Sequence, residues 1–222
     1  MSNTRVLFAA SEVYPFAKSG GLADVAHSLP RALRETCDVD VIMPLYQFID
    51  REKFGIQAIG ETFTVMMGEN AYPVTSYICK YEDITYLFVY TPLLCDREFL
   101  YGPPQGGYED NDIRFALFNY AILEMVKRDS YEIVHLNDWQ TALLPLLLKN
   151  EPEIATKSLF TIHNLAYQGI FEKKAGFAQS ISPAVKDLQS LFETTDMADK
   201  LPELGGVVEH LHRKQAIFDK LK

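Results

Sequence analysis

Residues 5–33 read RVLFAASEVYPFAKSGGLADVAHSLPRAL, and residues 38–46 read DVDVIMPLY. The opening RVLFAA is a short apolar run, the pattern of a strand buried on both faces. Leu22, Val25, Ala26, Leu29 and Leu33 then recur at helical spacing over about residues 22–35, with Pro30 inside the pattern as a predicted kink or break. DVDVIMPLY is a second apolar strand. Strand, loop, helix, strand is a βαβ unit, and its loop stands where α/β sheets hold their ligands. That loop contains PFAKSGGLAD, residues 15–24, with two adjacent glycines directly before the helix. Paired glycines are costly unless the backbone needs positive φ or something must come very close to it.

Working outward, FTVMM, YPVTSYICKY and ITYLFVYTP between residues 55 and 94 are rich in β-branched and aromatic residues and are separated by GEN and ED turns. They predict a β-meander or hairpin inserted beside the parallel strands. Residues 95–112 form a long turn-rich stretch, and such loops inside compact domains are functional or mobile. DIRFALFNYAILEMVKRD predicts a helix, IVHLND a strand, TALLPLLLK a buried helix kinked or started by Pro145, and KSLFTIHN another strand. The fold class is α/β: a Rossmann-like, mainly parallel sheet flanked by helices over residues 1–175. Beyond it, Ser182 and Pro183 open a predicted helix, and 207–222 is a final amphipathic helix, so residues 176–222 read as a separate helical segment.

Composition narrows the function. The 222 residues carry a formal charge of −9, which opposes general binding to nucleic acid or to an anionic membrane surface. Any anionic ligand must be held by a few local cations and backbone N–H groups. Cys37, Cys79 and Cys95 are widely spaced, with no CxxC and no zinc-like Cys/His cluster, so they read as free thiols in a reducing cytosol. The start lacks a signal peptide's apolar stretch, and no run approaches the ~18 apolar residues of a membrane span. A cytoplasmic protein is expected. His210 and His212, two apart on a helix, face different sides and do not suggest a metal site.

Three polar clusters stand at the ends of apolar strands. Gly20 and Gly21, at a helix start with Lys18 beside them, suit an anion; a tight chain reversal explains the glycines equally well. The stretch is neither a dinucleotide nor an NTPase phosphate fingerprint. His135, Asp138 and Trp139 end the next buried strand. Asp138 suits a hydroxyl-bearing ligand and Trp139 a flat apolar contact, although capping of the following helix by Asp138 is the simpler reading of that motif alone. His163 and Asn164 end a third strand, where a lone His is more often structural. Three such clusters converging on one edge of a parallel sheet favour a shared site.

Four stretches in order, SEVYPFAKSGGLADVAHSLPRAL, YEDNDIRFALFNYAILE, IVHLNDWQTALLP and FTIHNLAYQGIF, resemble the bacterial glycogen synthases and plant starch synthases over residues 5–172. The resemblance implies the N-terminal half of a GT-B fold and retaining transfer of glucose from ADP-glucose to the non-reducing end of an α-1,4-glucan, with no metal or cofactor. It implies Lys18 at the donor phosphates, Gly20 and Gly21 presenting N–H groups there, and Tyr101 nearby. Asp138 and Trp139 would line the sugar region, and His163 would sit at the transferred glucose with Asn164 in support. Family members are roughly twice this length, so a missing C-terminal domain, in cis or in trans, is an implied partner and the chain alone is expected to be nearly inactive. The rival class is a non-catalytic module that binds glucan or a protein partner with the same fold; retention of Lys18, Gly20, Gly21, Asp138 and His163 argues against decay. A nucleotide-dependent oxidoreductase is disfavoured by the missing glycine fingerprint.

Overall fold

The structure, a computed structural model, describes residues 4–171. The expected boundary near residue 175, the two helices predicted beyond it and the His210/His212 pair lie outside the described residues.

The apolar runs become β1 (Thr4–Ala9), β2 (Cys37–Pro44), β3 (Gln57–Met67), β4 (Asn70–Tyr81), β5 (Ile84–Tyr90), β6 (Ile133–Asn137) and β7 (Lys157–Thr161). The helices are α1 (Gly21–Leu33), the short α2 (Pro92–Cys95), α3 (Asn111–Arg128) and α4 (Leu144–Lys149), with a 3-10 turn at Trp139–Thr141. The strands form one sheet in the order β3-β4-β5-β2-β1-β6-β7. β1 pairs parallel with β2 and β6, β2 with β5, and β6 with β7. β3, β4 and β5 run antiparallel as the predicted meander, whose last strand also joins the parallel sheet beside β2. The β4–β5 turn is only Glu82 and Asp83, both at positive φ, as a two-residue hairpin matching the twist of its strands requires.

Side chains of β1 alternate between two apolar layers. Val6 and Phe8 pack with Ala26 of α1, Val41 and Phe88; Leu7 and Ala9 pack with Phe118, Ile122 and Leu136 on the other face. Burial on both faces is what the unbroken apolar run of β1 requires. Pro30 is buried inside α1, and the helix runs through it to Leu33 rather than breaking; tertiary packing outweighs the lost hydrogen bond. The predicted helix after β6 opens instead as the 3-10 turn, and α4 starts at Leu144 with Pro145 in its first turn. Buried Asn119 of α3 joins these pieces: its amide donates to the Gln140 carbonyl at 2.8 Å and accepts the Leu144 N–H at 2.9 Å. The cysteines are free, and burial pushes Cys79 up to about 11 and Cys95 up to about 12, so both remain thiols at neutral pH.

This topology creates a crevice. From β1 the chain crosses by α1 to β2 on one side. From β5 it returns by α3 to β6 on the other side of β1. The strand order therefore reverses between β1 and β6, and the loops leaving their C-terminal ends part there.

Candidate functional site

A cleft of about 1050 Å³ opens at that switch point. Gly20, Gly21, Tyr101, Asp138, Trp139, His163 and Asn164 all line it. The three polar clusters, far apart in sequence, share one rim. Lys18 is not among the lining residues.

The glycine pair is not demanded by the protein itself. Gly20 is extended (φ −153, ψ −160), a conformation open to any residue, and Gly21 is the first residue of α1. A Cβ on Gly20 would meet only a Glu12 oxygen at 3.8 Å, an ordinary contact, and one on Gly21 would meet nothing within 4 Å. The tight-reversal explanation therefore finds no support in the backbone. The N-cap residue, Gly20, has no side chain to cap α1, so the first N–H groups of the helix, which have no partner within it, stand at the cleft. Lys18 Nζ lies 2.6 and 2.7 Å from the two carboxylate oxygens of Asp24, in a half-exposed pair.

Asp138 does not cap the following turn with its side chain. Its backbone takes φ 58, ψ 176, a region close to glycine-only, where residues cost about 1–3 kcal/mol and recur at functional sites. Three hydrogen bonds hold it there. Its N–H donates to the Thr161 carbonyl at 2.9 Å, and its Oδ1 accepts the N–H groups of His163 at 2.7 Å and Asn164 at 3.3 Å. The carboxylate thus organises the loop after β7, while Oδ2 has no hydrogen-bond partner among the described residues.

His163 is oriented from below. The Asn137 amide nitrogen donates to the carbonyls of Ala9 (3.0 Å) and His135 (3.2 Å), so its Oδ1 must be the acceptor toward His163 Nε2 at 2.8 Å. This network places a proton on Nε2, directed at Asn137. His135 lies beneath, sharing a 2.8 Å hydrogen bond with the Thr161 hydroxyl; burial first, and the neighbouring His163 second, lower its pKa. Trp139 is less open than the sequence suggests. It packs edge-on against Phe115 and Phe171, and the backbone at Gly169 lies against the indole, where a Cβ would come within 2.6 Å.

The long loop is anchored. Arg114, fully buried, donates to the carbonyls of Leu94 (2.7 Å) and Leu100 (3.2 Å) and to Asn111 Oδ1 (2.6 Å). The Asn111 amide in turn holds the Tyr101 carbonyl at 2.7 Å. Gly102, at φ 151, allows the loop to close on itself, since a Cβ there would lie 2.2 Å from the Gly106 carbonyl. Tyr101 shares a 2.7 Å hydrogen bond with the Ser11 hydroxyl; burial, reinforced by Glu12, drives its phenol pKa far up, so it stays a neutral hydroxyl.

Sequence reasoning missed Glu12, Asn137, Asn111 and Arg114. Glu12 had a legible signal, a carboxylate just past the end of an apolar strand. Asn137 reads as the tail of its strand, and Arg114 as one polar position in an amphipathic helix; their roles depend on contacts across the fold. Among the described residues no group of three or more His, Cys, Asp or Glu could hold a metal ion. No described helix is long and apolar enough to cross a membrane.

Comparison with known proteins gives the family. Residues 5–206 match the family model described as the starch synthase catalytic domain, a match that runs past the last of the four motifs. Relatives include the glycogen synthase of Geotalea daltonii, 40% identical over 195 residues, covering 84% of this chain and 40% of the relative. The glycogen synthase of Aquifex aeolicus is 40% identical over 190 residues, with the same two coverages. Among solved structures, the catalytic domain of starch synthase IV from Arabidopsis thaliana, bound to ADP and acarbose, superposes with a TM-score of 0.67 at 28% identity, over 76% of this chain and 35% of that one. The chain thus spans about two fifths of the length of the relatives it matches. By its family match, its relatives and its α/β architecture, this chain belongs to the starch synthase catalytic domain family, the glycosyltransferases that include the glycogen synthases.

Proposed function

We propose that this chain is the N-terminal catalytic half of a cytoplasmic glycogen or starch synthase. It takes part in retaining transfer of glucose from ADP-glucose to the non-reducing end of an α-1,4-glucan. Turnover requires a second domain that grips the nucleotide, so the chain by itself transfers little glucose. The observation that carries this reading is the meeting of the glycine loop, Asp138 and His163 on one cleft rim.

The chemistry follows from the charges that develop. Cleavage of the sugar–diphosphate bond loads negative charge on the leaving oxygen and positive charge at the anomeric carbon. The N–H groups at Gly20 and Gly21 receive the diphosphate. Lys18 joins them by leaving Asp24; an exposed ion pair of this kind is worth only about 0–1 kcal/mol, so a diphosphate competes well for the ammonium. Tyr101, held neutral, supplies a hydroxyl near the phosphates. On the sugar side, the His163 ring carries its proton on Nε2, toward Asn137. Its contribution to an oxocarbenium-like centre is its backbone carbonyl or a ring lone pair. Asp138 fixes the His163 and Asn164 backbone and has Oδ2 left for a glucose hydroxyl. Trp139, backed by Phe115, walls this side.

The test is incorporation of labelled glucose from ADP-glucose into glycogen by the chain alone and by the chain supplied with a relative's C-terminal half. Little transfer alone and restored transfer on complementation are expected. Robust turnover by the isolated chain refutes the half-enzyme reading.

A further inference from the structure

Glu12 is 2% exposed and lines the cleft beside the glycine loop. A carboxylate is an odd neighbour for an anion site, because its charge repels the ligand. Its bonding suggests why it is there. Oε2 accepts the Ser19 backbone N–H at 2.5 Å and the Ser19 hydroxyl at 2.6 Å. Oε1 lies under Gly20, 3.8 Å from where a Cβ would stand. Ser19 directly precedes the glycine pair, and no side chain caps the helix that follows. Nothing in the glycines' own conformation stiffens this turn, so an external tie is needed if its amides are to keep one direction. Short hydrogen bonds to a buried carboxylate are strong ties. Ser11, next to Glu12, holds the Tyr101 hydroxyl, so the same strand end anchors both the loop and the tyrosine.

We propose that Glu12 is a positioning residue: its carboxylate clamps Ser19 and thereby aims the Gly20 and Gly21 amides into the cleft. This inference rests on the donor-phosphate reading of the glycine loop. It makes a prediction opposite in sign to simple electrostatics. Removing a negative charge beside an anion site should tighten anion binding; removing a clamp should weaken it.

The experiment uses the full 222-residue chain, with inorganic pyrophosphate as probe at low ionic strength, and compares wild type, Glu12→Gln, Ser19→Ala and the double variant. Amide hydrogen exchange is followed in parallel. Glu12→Gln is expected to weaken pyrophosphate binding about tenfold, the scale of losing hydrogen bonds to a charged group. The double variant should be no weaker than the weaker single. Exchange at residues 19–22 should quicken while β1, β6 and α3 keep their protection. Tighter binding by Glu12→Gln overturns the proposal, as does unchanged binding with unchanged exchange. If wild type fails to bind pyrophosphate, the donor-phosphate reading itself falls, and exchange at residues 19–22 alone decides whether Glu12 holds the loop: quickened exchange supports the clamp and unchanged exchange overturns it.

Discussion

Gly21 has room for a methyl group. Nothing lies within 4 Å of the position its Cβ would take, and it opens a helix. Alanine there should stabilise the fold by up to about 1 kcal/mol, since glycine carries extra chain entropy. Gly21→Ala is therefore expected to raise the urea midpoint and at the same time to weaken binding of ADP-glucose, because the methyl occupies the ligand's approach. A variant that loses stability as well would mean that the glycine serves the chain rather than the ligand. His135 gives a pH prediction. Its pKa in the folded protein is lowered, chiefly by burial, below the ordinary value of about 6.5. As pH falls below that value the unfolded chain binds the proton more readily than the folded one, so stability declines with falling pH and the decline levels off below the folded pKa. Urea unfolding between pH 7.5 and 5.5 should show this slope, and His135→Gln should flatten it. At this scale the sequence was informative about polar residues placed just after apolar strands, such as Gly20, Asp138 and His163. It was silent on the strained backbone of Asp138 and on the Asn137 amide that orients the His163 ring. Those depend on partners more than twenty residues distant in the chain.

α3 does more than cover the sheet. Its Arg114 and Asn111 hold the loop that carries Tyr101, so the stretch expected to be mobile or functional is fixed by a helix that follows it in sequence. Among the described residues no carboxylate forms an ion pair or hydrogen bond with Arg114; carbonyl oxygens, an amide and the Tyr108 and Phe115 rings contact it. Arg114→Met would leave the Leu94 and Leu100 carbonyls without their donor. A loss of about 2–4 kcal/mol is expected in chemical denaturation, and Arg114→Lys should not restore it, because an ammonium cannot span three acceptors as a planar fork does. At the other end of the molecule, the Glu82–Asp83 turn places two non-glycine residues at positive φ. Among the described residues Asp83 contributes a long, exposed ion pair to Arg34 at 3.8 Å. Asp83→Gly should thus be neutral or stabilising, by up to about 1 kcal/mol in the same assay. Element existence was readable from periodicity and apolar runs, because those patterns mirror burial directly. Element ends were less so: of the kink or break expected at Pro30 the break is absent, and a 3-10 turn that buried Asn119 supports precedes α4 after β6.

For the molecule as a whole, strand order decides where chemistry can occur. A parallel sheet that reverses between β1 and β6 opens a crevice, and the loops that carry Gly20, Asp138 and His163 leave the sheet there. Under the proposed donor binding, the net charge of −9 makes local devices, the helix-start amides at the cleft and a Lys18 ammonium released from Asp24, more necessary. The Arabidopsis starch synthase IV catalytic domain, solved with ADP and acarbose, has a similar fold over 35% of its length, so the remainder of such an enzyme has no counterpart in the matched region. The central claim is that the switch-point cleft receives the diphosphate on the glycine loop and the sugar beside Asp138 and His163. Titration of the isotope-labelled chain with ADP-glucose, followed by amide chemical shifts, tests it most directly. The account predicts the largest shifts at Gly20, Gly21 and Leu22 together with Asp138, His163 and Asn164; shifts confined to other surfaces, with these amides unmoved at saturation, would contradict it.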